Sequence, residues 1–280
     1  MSIESALLPV GELVAAVDGF LAASPAARAW DVETAFDWTA ADAGRLTEGQ
    51  RSAVQFVTFI EDHLPGYFEV YQRCFPVNDS VELPAFVHNR ELYHFTVRWA
   101  LEEDTHARAL ARYQVASGIA ERSALRGELA VEGRKPFDLP YEHPVQFFAY
   151  ALVQEKATQL YYHQLRDVCG DPVLAAVLSR LARDEARHFS FMADVVGRYL
   201  RVQGDAAVAP IRDVIAGFRM PLADTLRGYW RWALRIAEVA DYDHTEAYEH
   251  LLKVIDRAVD ARSDRVDELA RFIGQCRALA

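Results

Sequence analysis

Two stretches decide the fold: Trp99-Ala-Leu-Glu-Glu-Asp-Thr-His106 and Asp184-Glu-Ala-Arg-His188. Each carries a glutamate with a histidine three residues later, Glu103 with His106 and Glu185 with His188. Outward from the first pair, Leu92, Phe95, Trp99, Leu110 and Tyr113 recur every three or four positions. Outward from the second, Leu174, Leu178, Leu181, Met192, Val195 and Tyr199 do the same. That period turns one helix face into a core. Each polar pair therefore interrupts a seam that should be dry, where an uncompensated charge is costly or neutralises.

At i and i+3, a carboxylate and an imidazole leave the helix on the same side and can share one cation. Helical bundles that bind two irons or two manganese ions combine two such Glu-x-x-His helices with one glutamate from each of two others. Two lone seam glutamates complete the pattern. Glu61 lies among Val57, Ile60, Leu64 and Phe68, and Glu155 among Phe148, Leu152, Gln159 and Tyr162. Four carboxylates would balance two divalent ions, leaving a neutral centre in a dry core. The short spacing from Glu155 to Glu185 fits a tight helical hairpin. Pro65 follows Glu61 by four positions, so its ring conflicts with the Glu61 carbonyl and the helix must bend or bulge there.

The rest of the chain is also helical in pattern, with helices expected near 8–22, 48–75, 88–117, 119–132, 144–168, 172–203, 208–218, 221–238, 243–261 and 263–278. No alternating strand pattern, internal repeat or linker appears, which predicts an all-α fold in one domain spanning 1–280. With 280 residues, 51% of them hydrophobic, the chain is not disordered, and a net charge of −11 argues against nucleic acid as a partner. Cys74, Cys169 and Cys276 are odd in number and far apart, which disfavours a disulfide framework or structural zinc and suits a reducing, cytoplasmic setting. The first residues lack a basic leader pattern, and no apolar run is long enough to span a membrane.

At these residues the sequence resembles the soluble acyl-acyl-carrier-protein desaturases, the stearoyl-type enzymes of plastids and their actinobacterial relatives. The matching stretches are Glu61-Asp-His-Leu-Pro-Gly-Tyr67, the two quoted above, and Gln154-Glu-Lys-Ala-Thr158. The resemblance covers about 48–200. It implies a ferritin-like bundle with a four-helix di-iron core over about 48–203 and accessory C-terminal helices over about 208–278. It implies two iron ions, cycling between Fe2+ and Fe3+, held by Glu61, Glu103, His106, Glu155, Glu185 and His188. Thr158 matches an active-site threonine and Asp184 a carboxylate that orients a ligand histidine. Trp30 aligns loosely with an electron-transfer tryptophan, with Trp38 as the alternative. The implied partners are acyl-acyl carrier protein, a ferredoxin-type donor and O2, in a homodimer. The implied reaction is insertion of a cis double bond in fatty acid biosynthesis.

The acyl pocket should involve Val70, Arg73, Cys74, Phe147 and Phe148. Arg73 stands where a threonine is usual and Phe147 where a glycine is usual, so a tunnel with both pointing inward would suit a shorter or more polar chain. The carrier is acidic and needs a local basic patch. On a helical wheel Arg180, Arg183, Arg187, Arg198 and Arg201 fall in a stripe about 60° wide, expected to face water. Arg227, Arg231 and Arg235, beside Trp230 and Trp232, form a second candidate patch. The alternatives are a di-iron hydroxylase or oxidase and an iron-handling ferritin-like protein. The Gln154–Thr158 stretch and the additional C-terminal helices count against the latter.

Overall fold

The computed structural model describes residues 6–23, 30–240, 245–258 and 263–278. It contains eleven α-helices among these residues and no strand. They are α1 (Val10–Ala23), α2 (Glu48–Asp62), α3 (Leu64–Cys74), α4 (Leu83–Ser117), α5 (Arg122–Gly133), α6 (Pro144–Val168), α7 (Pro172–Gln203), α8 (Asp205–Ala216), α9 (Tyr229–Ile236), α10 (Thr245–Ala258) and α11 (Asp264–Ala278). Buried apolar side chains from every helix except α5 form one continuous core. No helix among the described residues is long and apolar enough to cross a membrane.

The bend expected after Glu61 is a break. His63 ends α2, and Pro65 sits in the first turn of α3, where its missing N–H is harmless. Gly66 is required there, because a Cβ would come within 2.8 Å of the His63 ring. Two other boundaries differ from expectation. α4 begins at Leu83, with Pro84 in its first turn rather than in the preceding loop. The helix expected near 221–238 shrinks to Tyr229–Ile236, and the chain before it is turns, with Leu222 in the left-handed region at φ 61°. The helix expected near 243–261 is described only as α10; residues 241–244 and 259–262 lie outside the described residues.

The α6–α7 hairpin is as tight as the Glu155-to-Glu185 spacing suggests. Asp171, fully buried, caps α7 by accepting from the Val173 and Leu174 amides at 2.8 and 2.9 Å. Its other oxygen accepts from the Asp42 amide at 2.8 Å, which ties the N-terminal segment to the hairpin. Gly170 leaves no room for a side chain, since a Cβ would stand 2.6 Å from the Arg45 carbonyl oxygen. These restraints set α2, α4, α6 and α7 so that their four glutamate-bearing faces converge.

Candidate metal centre

The six residues singled out from the sequence come together in two overlapping sets. Glu61, Glu103, His106 and Glu185 form one, and Glu103, Glu155, Glu185 and His188 the other; within each set the donor atoms lie within 4.8 Å of one another. Glu103 and Glu185 belong to both. His106 Nδ1 lies 3.2 Å from Glu185, 3.7 Å from Glu103 and 3.8 Å from Glu61. His188 Nδ1 lies 2.9 Å from Glu103, 3.3 Å from Glu185 and 3.6 Å from Glu155. All six residues are buried.

Outer contacts hold four of the six donors in place, and those of the two histidines are crossed. Asp184 of α7 meets His106 of α4, its Oδ2 3.3 Å from Nε2. Glu102 of α4 meets His188 of α7, its Oε2 2.9 Å from Nε2. Arg187 bridges the two carboxylates, donating to Asp184 at 2.6 Å and lying 3.0 Å from Glu102. The Trp99 indole donates to Glu155 at 3.2 Å, and the Tyr162 hydroxyl donates to Glu61. Carboxylates behind ligand imidazoles fix the tautomer and aim the other nitrogen inward. Asp184, expected behind a ligand histidine, lies against His106. Glu102 was missed, although the chain shows it plainly: an acidic residue precedes the Glu-x-x-His in both copies, Glu102 in one and Asp184 in the other.

The protonation pattern is that of a cluster built around positive charge. Burial raises Glu61 and Glu155 well above the usual carboxylate range, and neighbouring carboxylates push them further. Burial also opposes ionisation of Glu185, yet the close contacts with the His106 and His188 imidazoles hold it well below that range. Both histidines are raised: burial works against their charged forms, but contacts with Asp184 and Glu185 at His106, and with Glu102 and Glu103 at His188, prevail. Glu103 Oε1, His106 Nδ1, Glu155 Oε2 and Glu185 Oε1 are buried with no hydrogen bond of good geometry. Buried, unpaired and convergent donors of this kind are costly unless a cation completes them. Four carboxylates and two imidazoles suit two borderline divalent ions such as iron or manganese.

Against the cluster lies a narrow slot of about 30 Å³, lined by Glu61, Glu103 and Glu155 together with Val70, Tyr71 and Phe147. Of the residues expected at the acyl pocket, Val70 and Phe147 line this slot. Arg73, Cys74 and Phe148 are not on its wall. Arg73 turns outward to an exposed pair with Asp138, while Phe148 packs into the core against Phe75 and Tyr199. Cys74 is half-buried. The Phe147 ring instead closes on Tyr71, 4.3 Å between centroids. Thr158 is buried behind the slot, its hydroxyl accepting from Gln154, and only Gln154 reaches the wall. Phe137, Leu139 and Pro221 also line the slot; they come from loops, where no periodicity marks them.

The water-facing arginine stripe fails at three positions. Arg187 is committed to Asp184 and Glu102, Arg198 donates to Glu12 and Asp194, and Arg180 is half-buried over the Trp30 ring. Arg183 and Arg201 alone are exposed. The wheel gave a direction but not what α1 and α4 bring to meet it. Trp30 donates to Asp184 Oδ2 at 3.1 Å, so an unbroken contact path runs from Trp30 through Asp184 to His106. Trp38 donates instead to the Val32 carbonyl.

A family model described as fatty acid desaturase matches residues 7–262. The chain belongs to this desaturase family. Among curated relatives, a Mycobacterium tuberculosis protein designated acyl-acyl-carrier-protein desaturase DesA2 is 29% identical over 134 residues, which cover 44% of this chain and 49% of the relative. Stearoyl-acyl-carrier-protein 9-desaturase 6, chloroplastic, of Arabidopsis thaliana is 28% identical over 163 residues, covering 55% of this chain and 40% of the relative. The match thus spans half or less of the length of these relatives. The X-ray structure of Mycobacterium tuberculosis DesA2 superposes with a TM-score of 0.65 at 17% identity, covering 93% of this chain and 98% of that one. The desaturase-family fold and the converging glutamates and histidines are therefore found in the same chain.

Proposed function

We propose that the protein is an O2-dependent di-iron desaturase acting on an acyl chain carried by acyl carrier protein. The observation that carries this reading is the overlap of two four-donor sets, sharing Glu103 and Glu185, on the wall of a narrow apolar slot. Two irons held there supply the redox chemistry by which O2 and two electrons remove two hydrogens from adjacent carbons. The balance is one C–C single bond converted to a double bond, with O2, two electrons and two protons ending as two waters.

The chain's own residues position and shield. Tyr162 and Trp99 fix the two terminal glutamates, and Asp184 and Glu102 fix the two histidines. Val70, Tyr71 and Phe147 form the apolar slot wall, which keeps water from the reacting carbons and sets their depth. Gln154 offers an amide at the wall and passes a hydrogen bond to the Thr158 hydroxyl behind it. Phe147 in place of the family's glycine shortens the slot, which favours chains shorter than stearoyl. Arg73 contributes nothing to that selectivity, since it faces Asp138.

The slot shares Phe137, Leu139 and Tyr150 with an outer groove between residues 136–141 and 217–225. That groove is the mouth for the acyl chain. α9 begins just beyond it; Arg227 in the turn before it and Arg231 and Arg235 on it are exposed, beside Trp230, which is 62% exposed. This patch, rather than the α7 stripe, receives the acidic carrier. Single-turnover mass spectrometry of the reduced, iron-loaded protein with O2 and a panel of acyl carriers tests the reading. Loss of two hydrogens on shorter chains is expected. Gain of an oxygen atom would make the protein a hydroxylase, and turnover confined to stearoyl or palmitoyl carriers would refute the short-slot reading.

A further inference from the structure

The carrier and the slot leave one basic feature unused. α4 and α5 enclose a groove of about 540 Å³ together with Val32 and Glu33 of the N-terminal segment. Arg108 and Arg112 of α4 and Arg122 and Arg126 of α5 line it, together with the apolar Leu125 and Leu129. Only Glu33 and Asp62 oppose this charge within the groove, in a chain whose net charge is −11. Arg112 lies 3.3 Å from Glu33, and Arg108 lies 4.0 Å from Asp104. Arg122 and Arg126 are exposed and form no ion pair among the described residues. Unpaired arginines on a locally basic face of an acidic protein steer an acidic partner to one place.

The groove backs onto the contact path that ends at His106. The Arg112 guanidinium lies 5.9 Å from the Trp38 ring, and Trp38 and Phe36 are 5.3 Å apart. Phe36 meets Trp30 at 5.5 Å, and Trp30 donates to Asp184. The mouth of the slot lies between residues 136–141 and 217–225, none of which lines the arginine groove. An acyl carrier seated in the groove would therefore not face that mouth, whereas a protein delivering electrons would face the Trp38 end of these contacts.

We propose that this groove docks the electron donor, a small acidic iron–sulfur protein, with Arg122 and Arg126 as its principal contacts. The inference rests on the desaturase reading, which requires a reductant. Each docking passes one electron, the reduced iron–sulfur cluster being oxidised and the desaturase reduced, and two dockings supply the two electrons of one turnover.

The test is the affinity of the iron-loaded full chain for a two-iron, two-sulfur ferredoxin, measured by calorimetry across a salt series, beside its affinity for acyl carrier protein. R122E/R126E should weaken ferredoxin binding by about tenfold or more at low salt and flatten its salt dependence. Acyl-carrier affinity should stay unchanged. R122K/R126K, which keeps the charge, should retain most of the ferredoxin affinity, and an unchanged thermal melt of both variants excludes misfolding as the cause. Unchanged ferredoxin affinity in R122E/R126E overturns the proposal, as does a loss falling on acyl carrier instead. If no acyl substrate is desaturated while ferredoxin binding still depends on these arginines, the groove stands and the substrate reading falls.

Discussion

Replacing Glu102 by glutamine should separate the two halves of the metal centre. Glu102 holds His188 Nε2 at 2.9 Å, and its other oxygen accepts from Arg98 at 2.8 Å. The substitution keeps the shape but removes the charge behind the imidazole. Hydrogen bonds to charged groups contribute about 1.5–3 kcal/mol. At about 1.4 kcal/mol per tenfold, that corresponds to roughly 10- to 100-fold weaker metal binding, the range expected when such an outer partner is lost. The loss should fall on the set containing Glu155 and His188. The set containing Glu61 and His106 keeps its own carboxylate, Asp184, and Asp184→Asn should produce the mirror result. Anaerobic ferrous titration of the metal-free protein should then show one site near its original affinity and one weakened. Equal weakening of both sites by either variant, or no effect at all, would refute the crossed arrangement.

Phe147→Leu should move the chain-length optimum toward longer acyl carriers, read by competition between two carriers in one reaction; an unmoved optimum would show that another residue sets the depth. The same change should cost about 1–3 kcal/mol in urea unfolding, because a buried ring is traded for a smaller side chain. Asp171→Ala removes the α7 cap and the tether to Asp42 and should destabilise by about 1–2 kcal/mol, checked by the same unfolding experiment. His143 caps α6 through Nδ1, accepting from the Val145 amide at 3.1 Å, and burial lowers its pKa. A folded-state value below the unfolded one means that its contribution is complete above the unfolded value and is lost as pH falls from there through the folded value. The thermal midpoint should therefore drop between neutral and mildly acidic pH, and His143→Ser, which can cap without titrating, should reduce that drop.

The metal-bearing helices were legible because their donors obey the helical period. Glu61, Glu103, His106, Glu155, Glu185 and His188 each occupy a seam position, and a polar residue in a seam demands a partner. The break after Glu61 was legible from a single ring, that of Pro65. The slot was only half legible. Val70 and Phe147 lie on helices, but Phe137, Leu139 and Pro221 arrive from loops whose path depends on tertiary packing. Arginine roles were misread for a related reason. Helical spacing fixes which way Arg187 and Arg198 point, and only the packed fold shows that Glu102 and Glu12 wait there. Arg73 was misplaced because an inward alignment position says nothing of Asp138, which draws the side chain out. The α4–α5 groove escaped notice because its four arginines come from two helices and form no single stripe.

Iron content with Mössbauer spectroscopy of protein produced with adequate iron bears most directly on the centre itself. The two overlapping donor sets call for two irons per chain, which Glu61, Glu103, His106, Glu155, Glu185 and His188 would hold. Iron bound singly, or none bound at all, would contradict the metal centre on which the desaturase reading stands.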